Sequence, residues 1–143
     1  MESGVRVEDC PFCEIAGMDS GWARKTPGIT IGRSAAAFPD NYPVTRGHTL
    51  VVPRRHVTSV FSLDRDETSD LWSMVNLVVD QLKLSCDSFN VGTNVGASAG
   101  QTIEHAHVHV IPRRDGDVSD PRGGIRWVIP EKARYWAMPN YPA

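Results

Sequence analysis

The chain has 143 residues, 41% hydrophobic and 22% charged, which fits one domain spanning 1–143 and burying about two thirds of its unfolded surface in a single core. A net charge of −2 with no clustered basic excess excludes a surface built to coat a nucleic-acid polymer, and apolar runs of only a few residues exclude a helix crossing a bilayer. No basic leader followed by an apolar core is present, so a cytoplasmic location away from membranes is expected.

Residues 1–9 are polar and are expected to be a flexible N-terminus. Cys10-Pro11-Phe12-Cys13 follows, a pair spaced to place two thiolates on one tetrahedral ion. In a reducing compartment such a pair is more often half of a metal site than a disulfide, although a redox pair or two ordinary thiols would show the same spacing. The third cysteine, Cys86, reads as a buried thiol near a helix end.

Residues 28–38 suggest two short strands turning at Gly32-Arg33, followed by a connection through Pro39 and Pro43. The apolar run within 48–53 marks a central strand closed by Pro53. Between 62 and 85 the period changes. Leu71, Met74, Val75, Val78 and Leu82 recur at spacings of three and four and predict the main helix, capped by Ser62 or Asp64. Strands are expected again over 88–92 and 105–112, separated by a glycine-containing loop over 92–100. Strands, one long helix, then strands predict an α+β fold with an antiparallel sheet of about five strands.

The last predicted strand carries the chemistry. Side chains of a strand alternate between faces, so His105, His107 and His109 are expected to point the same way at roughly 7 Å intervals, with Ala106, Val108 and Val110 in the opposite layer. Three of the five histidines on one stripe suit either a metal cluster or phosphoryl transfer by a histidine nucleophile. The preceding loop favours the second. Gly96 and Gly100 would bring backbone N–H groups close to an anion, and Gln101 and Thr102 would add side-chain donors, none of which a metal cage needs.

The stretch Asn94 through Ile111, N-V-G-A-S-A-G-Q-T-I-E-H-A-H-V-H-V-I, resembles the signature of the histidine triad (HIT) family, in which histidines alternate with apolar residues. The segment from Phe38 to His56, with Asp40, Gly47-His48, the strand Leu50-Val51-Val52 and Pro53-Arg54-Arg55, is similar to a second family element. The resemblance covers roughly 10–114 and implies a HIT-like sheet dimerised into a larger one. It also implies a hydrolase acting on a small nucleotide. His107 would attack the α-phosphorus to form a nucleotidyl-histidine, with His109 bonding phosphate oxygens and His48 in support. Asn94, Gly100, Gln101, Thr102 and His109 would hold phosphate and leaving-group oxygens, and Asp40 the ribose hydroxyls. Zinc-containing members begin with a similar cysteine pair, and their remaining ligands correspond here to His56 and His105. Cys10, Cys13, His56 and His105 would then hold a structural zinc, with no catalytic metal required.

Within the family the resemblance leaves open dinucleoside polyphosphates and nucleoside phosphoramidates as substrates. His109, where related transferases and phosphorylases carry glutamine, speaks for water as acceptor. A nucleotide-binding or signalling module with incidental activity would use the same residues. The segment 115–143 is variable in the family. Here Arg122 and Arg126 are candidates for phosphate and Trp127 or Trp136 for a base, with plain surface packing as the alternative.

Overall fold

The computed structural model describes residues 8–17 and 28–142. Residues 1–7, and with them most of the expected flexible N-terminus, lie outside the described residues. The sheet takes its β-branched and small residues from β1 (Thr30–Ile31), β2 (Ala35–Pro39), β3 (Thr49–Pro53), β4 (Ser88–Gly92) and β5 (Val108–Arg113). These five strands are ordered β1-β2-β3-β5-β4, and every pairing is antiparallel. The run at β3 therefore occupies the middle of the sheet, as its unbroken apolar character predicts.

Alternation divides the sheet into two faces with different partners. Ala35, Ala37, Val51, Val108 and Val110 pack against Leu71, Met74, Val75 and Val78 of the main helix. On the other face Ala36, Phe38, Leu50 and Val52 pack with Ala16 and are flanked by Phe12, Ile15, Ile29 and Ile31. The second face is covered by a short helix, α1 (Pro11–Ala16), with proline in its first turn and the Cys10 thiol at its N-cap accepting the Cys13 N–H.

The main helix, α2, runs over Arg65–Leu82. Asp64 starts it through a capping box: the Asp64 carboxylate accepts the Glu67 N–H at 2.8 Å and the Glu67 carboxylate accepts the Asp64 N–H at 3.1 Å. Of the two expected caps, Ser62 is instead the end of a separate 3₁₀ turn (Val60–Ser62). Glu67 is fixed further by a two-pronged pair with Arg55 at 2.8 and 2.9 Å, whose guanidinium holds its carboxyl below the usual range.

The last strand corrects an expectation. It begins at Val108 rather than His105, and Pro112 lies inside it. The β3 pairing reaches only as far as Val51 opposite Val108, and the Ala106 N–H turns aside to the Val57 carbonyl at 2.7 Å. His105 and His107 therefore stand on irregular chain leading into β5. A final helix, α3 (Pro130–Ala133), lies in the C-terminal segment beside a 3₁₀ turn over Gly124–Val128.

Candidate active site and metal centre

His109 lies opposite Leu50 of β3 and Gly92 of β4, so it projects from the face that α1 covers. Gly92 offers no side chain of its own beside the imidazole, and the space over it is approached by the Ile125 side chain. The neighbouring ring of His107 meets that of His109 edge-on with centroids 5.1 Å apart, closer than strand spacing alone would set them.

The tautomer of each ring follows from its partners. His107 Nδ1 lies 2.8 Å from the His105 carbonyl, which only accepts, so Nδ1 carries the proton and Nε2 keeps its lone pair. His48 Nδ1 accepts the Val44 N–H at 3.0 Å, so its proton is on Nε2, 2.9 Å from His109 Nδ1. His109 must accept there and hold its own proton on Nε2. One ring thus offers a lone pair and its neighbour a donor. Asp40 stands behind this chain, one oxygen 3.5 Å from His48 Nε2 and the other accepting the Tyr42 N–H at 2.8 Å.

Burial favours the neutral form of His48 and His109. It lowers His48 from its ordinary value against the opposing pull of Asp40. His109 is lowered by burial first and then by repulsion from His107 and His48.

The third histidine faces elsewhere. His105 is fully buried, and its Nε2 lies 2.8 Å from the Pro53 carbonyl, so Nε2 carries the proton and Nδ1 presents a lone pair. That nitrogen is 3.5 Å from the sulfurs of both Cys10 and Cys13, and His56 Nδ1 is 3.1 Å from Cys13 Sγ. Burial, reinforced by His56 and His107, pushes His105 down to about 4. The four donor atoms lie within 4.8 Å of one another, and two thiols with two imidazoles are a donor set suited to tetrahedral zinc. The Pro53 carbonyl is the second partner that a metal-bound imidazole ordinarily has.

Asp40, His48 and His109 also bring three donor groups together. Hydrogen bonding distinguishes the two clusters. The Val44 N–H occupies one nitrogen of His48, which puts a proton on the nitrogen a metal would need, so this second group is a hydrogen-bonded chain.

The loop before the triad is built differently from expectation. Gly96 and Gly100 have φ of 90° and 92°, and a side chain there would meet nothing within 4 Å, so the backbone conformation rather than crowding calls for glycine. Their N–H groups are taken inside the loop, Gly96 by the Gln101 side-chain oxygen at 2.9 Å and Gly100 by the Ala97 carbonyl at 3.0 Å. The Gln101 amide donates to the carbonyls of Thr58 at 2.8 Å and Ile103 at 3.0 Å. Both of its hydrogens are thereby used, and Gln101 acts here as a brace rather than a free phosphate donor. Asn94 and Thr102 make no side-chain hydrogen bond among the described residues.

Several supports escape a reading of residue types because they are main-chain atoms: the carbonyls of His105 and Pro53 and the Val44 N–H. The Thr93 side chain, which the sequence reading did not single out, adds a support by donating its hydroxyl to the His107 carbonyl at 2.7 Å. In the C-terminal segment, Arg122 is paired with Asp120 and lies over Trp136, while Arg126 donates to the Lys132 carbonyl. Ile125 reaches the triad's side of the sheet, with its Cδ1 3.4 Å from where a Gly92 Cβ would stand.

The HIT domain family matches residues 31–116. The chain is 36% identical over 106 residues to an uncharacterized HIT-like protein of Saccharolobus solfataricus, covering 72% of this chain and 73% of that one. It is 39% identical over 88 residues to the asymmetrical bis(5'-nucleosyl)-tetraphosphatase of Schizosaccharomyces pombe, covering 60% of this chain but only 48% of the yeast protein. Among solved structures, a zinc-bound histidine triad family protein from Mycobacterium smegmatis superposes with a TM-score of 0.63 at 30% identity, covering 76% of this chain and 78% of that one. With residues 31–116 matched by the family model and a HIT-like relative 36% identical over 72% of this chain and 73% of its own length, the chain belongs to the HIT domain family.

Proposed function

We propose that this protein is a nucleotide hydrolase that cleaves at the α-phosphate and releases a nucleoside monophosphate. The observation that carries the reading is the set of ring partners, the His105 carbonyl on His107 Nδ1 and the Val44 N–H and His48 behind His109 Nδ1, which assigns a lone pair to His107 Nε2 and a proton to His109 Nε2. His107 attacks the α-phosphorus. The P–O bond to the leaving group breaks as the P–N bond forms, and water later displaces the histidine, returning the ring to its starting state. His109 donates to the phosphate oxygen on which charge collects, and His48 keeps that donor in the correct tautomer. Asp40 accepts from the ribose hydroxyls, and the side chains of Asn94 and Thr102 hold the remaining oxygens, with Gly100 supplying the turn that places them. Gln101 contributes by shaping the loop.

Dinucleoside polyphosphates are the favoured substrates, ahead of nucleoside phosphoramidates, and the similarity to a bis(5'-nucleosyl)-tetraphosphatase supports that order. Cys10, Cys13, His56 and His105 would hold a structural zinc that ties α1 and the chain after β3 to the catalytic segment. Bound there with four protein ligands, the ion supplies rigidity and no reactive position. No helix among the described residues is long and apolar enough to cross a membrane. A homodimer in the cytoplasm is the rest of the proposal.

The test is a chromatographic product assay over dinucleoside polyphosphates and adenosine phosphoramidates, beside His107→Ala. Release of AMP by the wild type alone is expected. Tight nucleotide binding with no turnover of any member would make the protein a binding module instead.

A further inference from the structure

His107 is gripped from two directions. One is the His105 carbonyl on Nδ1. The other is Phe12, whose ring meets the imidazole of His107 at 79° with centroids 5.1 Å apart and also touches His105 at 6.0 Å and Phe38 at 5.4 Å. Phe12 lies between the two cysteines of the metal centre, on a helix of only six residues. So short a helix does not hold its own position in water, and its place is set by what its ends are tied to. Here both thiols converge on His105, two residues before His107.

We infer that Phe12 is a positioning residue for the nucleophile: α1 is an arm, anchored through Cys10 and Cys13, that presses an aromatic ring against His107 and stops the imidazole from turning away from the His105 carbonyl. This rests on the reading of His107 as the nucleophile. An imidazole free to rotate about its Cβ–Cγ bond would lose the Nδ1–H bond and with it the fixed lone pair on Nε2. Misplacement of a reacting group by about 1 Å can cost on the order of 100-fold in rate. A ring acting in this way changes kcat, whereas a ring that merely walls the substrate's site changes KM.

The experiment compares Phe12→Leu, which keeps apolar bulk without a ring, with Phe12→Tyr, which restores the ring, in the full chain with its metal content measured. Phe12→Leu is expected to lower kcat about 10- to 100-fold with KM within about threefold, and Phe12→Tyr to keep kcat within about threefold of wild type. Long-range ¹H–¹⁵N spectra of the histidine rings provide a second readout that needs no substrate. Wild type is expected to show His107 wholly as the Nδ1–H tautomer and Phe12→Leu a mixture of tautomers. A raised KM with unchanged kcat, or an unchanged His107 ring signal in folded Phe12→Leu, would overturn the inference. Failure of the wild type to turn over any nucleotide would count against the hydrolase reading alone, since the ring signal still decides the role of Phe12.

Discussion

At the scale of single residues, the site depends on which nitrogen of each ring carries a proton, and main-chain atoms make that choice. The chain from Val44 through His48 to His109 predicts that His48 acts through its neighbour. His48→Ala is expected to lower kcat about 10- to 100-fold while nucleotide binding, measured by calorimetry, changes little. An equal loss in binding would mean that His48 contacts the ligand itself. The same burial has a consequence for stability. His48 and His109 both take up protons less readily in the folded chain than at the ordinary imidazole value of 6.5. The unfolded chain therefore binds more protons as the pH drops below that value. Their contribution to stability is full above about pH 6.5 and declines as the pH falls toward their lowered folded values. Thermal melts between pH 7.5 and 5 should show a falling Tm, with a shallower fall in His48→Asn.

At the scale of elements, the two faces of the sheet are expected to behave differently under mutation. Leu71 is buried between α2 and the sheet, so Leu71→Ala should destabilise by about 2–5 kcal/mol in denaturant melts while kcat/KM stays near wild type well below the transition. On the other face, chelation or Cys13→Ser should release α1, lowering both Tm and kcat, and zinc added back should restore the chelated protein. An unchanged Tm on chelation would remove the metal centre from the account. Much of this was legible in the sequence. The spacing of three and four between Leu71 and Leu82 marks α2 because only a helix brings those residues to one side, and the apolar run at Leu50-Val51-Val52 marks β3 because only a central strand is covered on both faces. The start of β5 was not legible. Ala106 and His107 continue the alternation that defines a strand, but the Ala106 N–H bonds the loop after β3, and no local pattern encodes that partner.

At the scale of the whole molecule, α2 covers one face of the sheet, and the proposed chemistry lies on the α1 face, with the candidate metal ligands at the join. The ring of His105 meets the Cys13 thiol while its carbonyl meets His107 Nδ1, so one residue links the candidate metal ligands to the proposed nucleophile. The histidine alternation pointed to the family, and the cysteine spacing picked out two of the four residues that the fold gathers into one cluster. Gln101 shows where such reading stops. Its amide suits a phosphate or a carbonyl equally well, and only the folded loop shows it spanning Gly96, Thr58 and Ile103.

The central claim, that His107 becomes covalently attached to the nucleotide, is tested most directly by quenching a single turnover of a dinucleoside polyphosphate and mapping the adduct by mass spectrometry. The account predicts a nucleoside monophosphate on His107 that forms and decays within the turnover and is missing from His107→Ala, which also releases no product. Turnover that persists in His107→Ala, or an adduct on another residue, would contradict it.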